Sequence, residues 1–537
     1  MKLFGLALAI IIAVPSMAAA QHEQHAATGD KLGTVNFETS CLPATRGDFN
    51  RGMALMHSFE FGPAIEMFNK VLGSDPNCAI AYWGIALSQW SNPFAGVKAG
   101  PLLDRGLAAA QKGLATGQPT PREKAYLSAV NQLYANAQTI SHRDRTLAYA
   151  TAMEAVQREY RDDIEARIFY ALALDQTALP TDKTYSLQLQ AAEILEPLWK
   201  KYPDHPGLAH YIIHTYDVPV LAPKALTAAR RYAAIAPSSP HALHMPSHTF
   251  TRVGSWQDSV DANIKSEQES VRLGVIGEAL HAMDYQAYAY LQMAQDKKAV
   301  ALLDRVKGVA AKMNAPGVVQ GAAPPVAGPY ARNAVNARYA LERGAWAEAA
   351  ALQPIASTFP YADAITHFAR AIGAARAGQP GAAAPDIEKL AALREALKAA
   401  KDEYWAEQVD IERQVAVAWV TFAEGNRSEA VRLMAAAADQ EDRTDKAAIS
   451  PGPIAPAREL LGEMLLEAGN AKDAVTAFEA TMKKEPNRFR GTFGAARAAE
   501  AAGDRARAAT LYQQVVAIAK DSDSTRPELQ RARSFRR

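Results

Sequence analysis

The sequence predicts an all-α chain built from one repeated helical hairpin, and three observations carry that reading. Apolar residues recur at three- and four-residue intervals along most of the chain, alanine is abundant, and strand-like alternation is nearly absent. Near the C-terminus, Gly469, Ala474 and Phe478 recur as Gly503, Ala508 and Tyr512, a step of 34 residues each time. In such a unit two helices meet at a turn containing the glycine, the small alanine packs where they cross, and the aromatic fills the gap behind.

In chain order, residues 1–20 begin with a Lys, continue as an apolar run and end in Ala18-Ala19-Ala20, the layout of a secretory signal peptide. No later apolar run reaches spanning length, so an exported chain without a membrane anchor is expected. Residues 21–44 read as a flexible segment. Cys41 and Cys78 are the two cysteines, and in an exported chain they are expected to form a disulfide. Residues 45–313 read as a first helical array and 330–523 as a second, with the Pro/Gly-rich 314–329 between them and a basic tail at 524–537. Lys and Arg number 58 against 57 Asp and Glu, with no long block of either sign. That balance gives no electrostatic case for nucleic acid.

The 34-residue pattern, with units ending at Pro76 and Pro237 and others centred on "RVGSWQDSV", "ERGAWAEAA" and "AEGNRSEAV", resembles the tetratricopeptide repeat. The resemblance implies a right-handed α-solenoid of stacked hairpins, interrupted by loops, with a concave groove. The stretches "HPGLAHYIIHTYD" and "PHALHMPSHTFTRVG" together are similar to a group of exported bacterial proteins of that family with a His-rich core. This second resemblance implies architecture and compartment, and no reaction.

Seven of the chain's 12 histidines fall between positions 205 and 281. In the repeat frame, units open on Pro206 and Pro240, and proline suits a first helical turn. His210 and His214 are then the fifth and ninth residues of one unit, and His244 and His248 the fifth and ninth of the next. A spacing of four puts each pair on one helix face, and equal positions in neighbouring units lie side by side. The four imidazoles are therefore expected to form one patch, with His281 and Asp284 joining from the following unit. Neutral imidazoles with a carboxylate make a first shell for a divalent transition metal, copper or zinc first and iron as a further candidate. Asp284 could equally orient a ligand from outside the shell, as could Glu165, Asp217 and Arg252.

His57, Trp83, Trp90, His241 and Tyr288 are expected to line the groove beside this patch. Pro246 lies within the second histidine helix and should kink or restart it. No P-loop, dinucleotide fingerprint, Gly-x-Ser-x-Gly or His-Glu-x-x-His motif occurs. Two functions remain: a transition-metal protein using the groove histidines, or a metal-independent scaffold binding a peptide or protein partner in the groove.

Overall fold

The structure, a computed structural model, describes residues 30–314 and 321–535; the expected signal peptide lies outside them. Among the described residues the chain is all-α, and the helices pair into hairpins from end to end. Arg46–His57 pairs with Phe61–Ser74, Ala79–Trp90 with Pro101–Ala115, and Pro121–Gln132 with His142–Glu159. Ile164–Thr177 with Ser186–Lys201 and Pro206–Thr215 with Leu226–Ile235 continue the stack. The centre holds Pro240–His244 and Pro246–Arg252 against Trp256–Arg272, then Ile276–Gln292 against Asp296–Ala310. The second half repeats the scheme, down to the pairs Ala457–Glu467/Ala471–Lys484 and Phe489–Ala501/Arg505–Ile518.

The 34-residue step is visible in the backbone. Gly469 and Gly503 leave the first helix of their hairpins at φ of +90° and +85°, a region glycine enters without steric penalty. Phe478 fills the crossing against Gly462 and Gly494, and a Cβ on Gly494 would lie 2.3 Å from its ring. The fold is thus a solenoid of tetratricopeptide-like hairpins.

Three expectations are corrected at the edges of the arrays. The described part of the 21–44 segment packs on the stack rather than moving freely. Leu32, Val35 and Phe37 are buried, Phe37 stacks on Trp83, and Thr34 N–H donates to Asp204 O. The end of the chain is also bound down: Pro527–Ser534 is a helix with Leu529 buried, and Arg526 pairs with Asp296 at 2.6 Å. Nor does the Pro/Gly-rich stretch divide the apolar packing, because one cluster joins Leu280 and Met283 to Ala331 and Val335 across it. Cys41 and Cys78 form a disulfide.

The stack closes on itself. Trp256 Nε1 donates to Asn487 O, Phe489 N to Gln292 Oε1, and Arg488 to the Tyr288 hydroxyl. Arg338 holds the 450–453 turn through Ser450 Oγ and the carbonyls of Gly452 and Pro453. The C-terminal units therefore meet the 256–292 region, and Ala447, Ala448 and Ile449 join His214, His241, His248 and His281 around one cavity. No helix among the described residues is long and apolar enough to cross a membrane.

Candidate metal centre

Pro246 does interrupt its helix, yet the histidines keep their register. Met245 stays helical at φ −52°, ψ −36°, and His248 N–H bonds back to Met245 O. The chain thus passes the proline in one tight turn. His244 and His248 remain on one face, with their Nε2 atoms 3.1 Å apart.

The expected single patch is two triads instead. His210 and His214 are completed by His241, and His244 and His248 by His281. Each triad is an i, i+4 pair joined by one histidine from the next unit. Within each, one ring nitrogen per residue lies within 4.8 Å of the other two. The triads adjoin, since the His214 and His248 ring centres are 6.1 Å apart, as are those of His241 and His244.

Hydrogen bonds behind the rings decide which nitrogen is free. His210 Nδ1 lies 2.6 Å from the carbonyl of His57, an acceptor only, so the ring donates there. His241 Nδ1 is 2.9 Å from the Glu278 carboxylate, whose second oxygen accepts from Ala323 N–H. The Nε2 atoms of His210, His214 and His241 are then left buried without a hydrogen-bond partner. In the second triad, His244 Nδ1 is 2.6 Å from Asn263 Oδ1. The Asn263 amide nitrogen donates to Ser259 O, which makes Oδ1 the acceptor and His244 Nδ1 the donor. His248 Nδ1 donates to Asp217 at 2.8 Å, and Arg252 holds that carboxylate from the other side.

Both Nε2 atoms of the 3.1 Å pair therefore carry lone pairs, and the Tyr285 hydroxyl lies 3.3 Å from that of His248. Facing lone pairs repel unless a cation lies between them. A proton is disfavoured: burial and the neighbouring imidazoles lower His244 and His241 to about 3, and burial lowers His248 although Asp217 opposes it. The same causes put His210, His214 and His281 well below the ordinary histidine value. Two ligands of a tetrahedral ion at 2.0–2.1 Å stand about 3.3 Å apart, close to the observed contact. Burial raises Asp217, but Lys446, Arg252 and His248 outweigh it and hold that carboxyl well below the usual range. It stays an anion behind His248.

A third cluster shows the contrast. His57 Nε2 and His205 Nε2 both meet Glu165, at 2.9 and 3.0 Å, while His57 Nδ1 takes the Tyr211 hydroxyl and His205 Nδ1 takes Leu208 N–H. Every ring nitrogen there is satisfied, so His57 is a buried strut whose carbonyl orients His210. It does not line the groove.

Five further expectations are corrected. Asp284 turns away from the triads to Arg338, at 3.2 Å. Tyr288 lies in the closure, between Arg338 and Arg488. Trp83 packs among Phe37, Tyr126 and Phe169, and Trp90 stacks on His142 beside Tyr134. Both indoles are core, and Glu165 serves His57 and His205. Glu278, Asn263 and Tyr285 were not singled out by sequence. Glu278 precedes His281 by three residues on the same helix, a spacing that marks a shared face; Asn263 carries no such signal.

His214, His241, His248 and His281 form one wall of a cavity of about 410 Å³, whose other walls include Phe94, Phe359, Tyr361 and Trp405. The site is a roofed chamber rather than an open groove.

No family model and no curated protein matches this chain. Among solved structures it is similar to yeast Tom70, at 11% identity over 92% of this chain and 94% of that one, with a TM-score of 0.33. It is also similar to the APC/C hetero-tetramer Cut9-Hcn1, at 13% identity over 93% and 79%, with a TM-score of 0.35. At those scores neither informs the site.

Proposed function

We propose that this protein binds two transition-metal ions, one in each histidine triad, and presents both to the chamber. The observation that carries the reading is the set of buried Nε2 atoms without a hydrogen-bond partner in one triad, His210, His214 and His241, with the facing Nε2 atoms of His244 and His248 in the other. Orienting hydrogen bonds at Nδ1, present on His210, His241, His244 and His248, are the usual support of a metal-bound imidazole. Three ligands per ion leave a coordination position open, as in catalytic rather than structural sites. Copper is the first candidate. Imidazole suits copper and zinc, and with no carboxylate in either triad the ion's charge is met from behind the rings, by Asp217 on His248. Zinc is second and iron third. The export expectation belongs to this proposal and is supported by the Cys41–Cys78 disulfide.

The test is elemental analysis of the full-length protein, exported with its own leader and purified without chelator or a histidine tag. About two equivalents of metal are expected. His214→Ala removes a ligand from one triad and His248→Ala from the other, so each should release about one equivalent and the double variant both. Full occupancy in the folded double variant refutes the assignment. Partner binding that persists in chelator is the signature of the scaffold reading.

A further inference from the structure

The chamber has a second lobe, also of about 410 Å³, which shares Phe94, His214 and Trp405 with the first. Its polar groups are unusual. Lys446 reaches it with a side chain only 6% exposed, and its Nζ has no hydrogen bond. The nearest carboxylate, Asp217, is 3.6 Å away and already accepts from His248 and Arg252. Gln176 lines the same lobe, and its Nε2 is likewise buried without a partner. Of the lobe's other acids, Asp445 pairs with Lys183, Asp402 caps Trp405 N–H, Asp175 accepts from the Thr215 hydroxyl and is pushed up to about 7 by burial, and Glu403 lies at the lining. Buried donors of this kind call for an acceptor, and one ammonium with one amide suits a monoanion. The shared part of the chamber is flat and apolar. Trp405 stacks on Tyr361 at 4.1 Å and 3°, and Phe94 stacks on His214 at 4.3 Å. Such walls take a planar ring, and the volume is that of a small-molecule site.

We propose that the chamber binds a small aromatic carboxylic acid, its ring between Trp405 and Phe94 beside the histidine wall and its carboxylate on Lys446 and Gln176. This deepens the metal reading by naming the ligand class for the same chamber, but the anion contact is made by protein alone.

Isothermal titration of the full chain, metal-free and metal-loaded, uses benzoate, benzamide and cyclohexanecarboxylate as probes. Benzoate should bind both forms at least tenfold more tightly than either neutral benzamide or the non-aromatic acid. Lys446→Met should erase the preference for benzoate over benzamide, and Trp405→Ala the preference over cyclohexanecarboxylate. The preferences of the unmutated protein test the proposal even if a variant fails to fold. Absence of benzoate binding in both forms overturns it. So does binding seen only in the loaded form and unchanged by Lys446→Met, which places the acid on the metal. Benzoate binding by a protein that takes up no metal sustains this proposal and refutes the metal reading alone.

Discussion

Replacing Asn263 by Leu probes the geometry of one triad without touching a ligand. Asn263 Oδ1, 2.6 Å from His244 Nδ1, keeps the proton on that nitrogen. Without it, a buried N–H loses its acceptor, at about 1–3 kcal/mol. The ring has an escape: moving the proton to Nε2 makes a normal hydrogen bond to His248 Nε2 across the existing 3.1 Å. The metal-free variant should then lose about 1–3 kcal/mol, because Nδ1 is left buried without a donor and the Asn263 bond to Ser259 O is gone. The same move removes a ligand lone pair, so metal affinity at this triad should fall about 10–100-fold, the usual effect of losing an orienting partner. That is about 1.4–2.7 kcal/mol. The triad of His210, His214 and His241 should be unaffected. Competition with a chromophoric chelator resolves the two steps, and thermal unfolding with and without metal gives the stability change. If the folded variant binds both ions with unchanged affinity, the tautomer reasoning is wrong.

Other predictions concern the scaffold. Burial raises the Glu441 carboxyl from 4.5 to about 7, so its neutral form stabilises the fold at low pH and that contribution is lost as pH rises from about 4.5 through 7. Glu441→Gln should therefore gain about 3 kcal/mol over the unmutated protein at pH 8 and under about 1 at pH 5; a difference independent of pH, measured by chemical denaturation, refutes this. Arg488 bonds to Glu342, Glu459 and Tyr288 in the buried closure, and Arg488→Met should cost about 3–5 kcal/mol by stranding two carboxylates. Calorimetry showing no loss would mean the closure does not depend on it. Reducing the Cys41–Cys78 bond, with a separation of 37 residues, should lower stability by about 4 kcal/mol in the chain-entropy model, read as a lower denaturation midpoint in reductant.

Much of the site is legible along the chain. Helical periodicity and a 34-residue step announce the hairpins, and the i, i+4 pairs at 210/214 and 244/248 place imidazoles on one wall whatever lies around them. Asp217 and Arg252 also fall near the pairs in the repeat frame, and they do support His248. The grouping into two triads was not legible, because ring direction depends on partners distant in sequence, such as the His57 carbonyl, 153 residues from His210. Asp284 shows the same limit: its spacing from His281 suits a shared ligand set, yet Arg338, 54 residues on, takes its carboxylate.

Local sequence, then, determined the helices, their pairing and the supply of imidazoles, because those rest on backbone propensity and on a stripe that must be buried against the next unit. The tertiary structure alone decided which nitrogens are free, that Trp83 and Trp90 are core, and that the groove is a roofed chamber. The last of these depends on closure: the 445–453 segment returns across more than 150 residues to Tyr285, beside the histidine wall. No periodicity encodes that return. Buried hydrogen bonds between distant residues specify it, including those of Arg338, Tyr285 and Arg488.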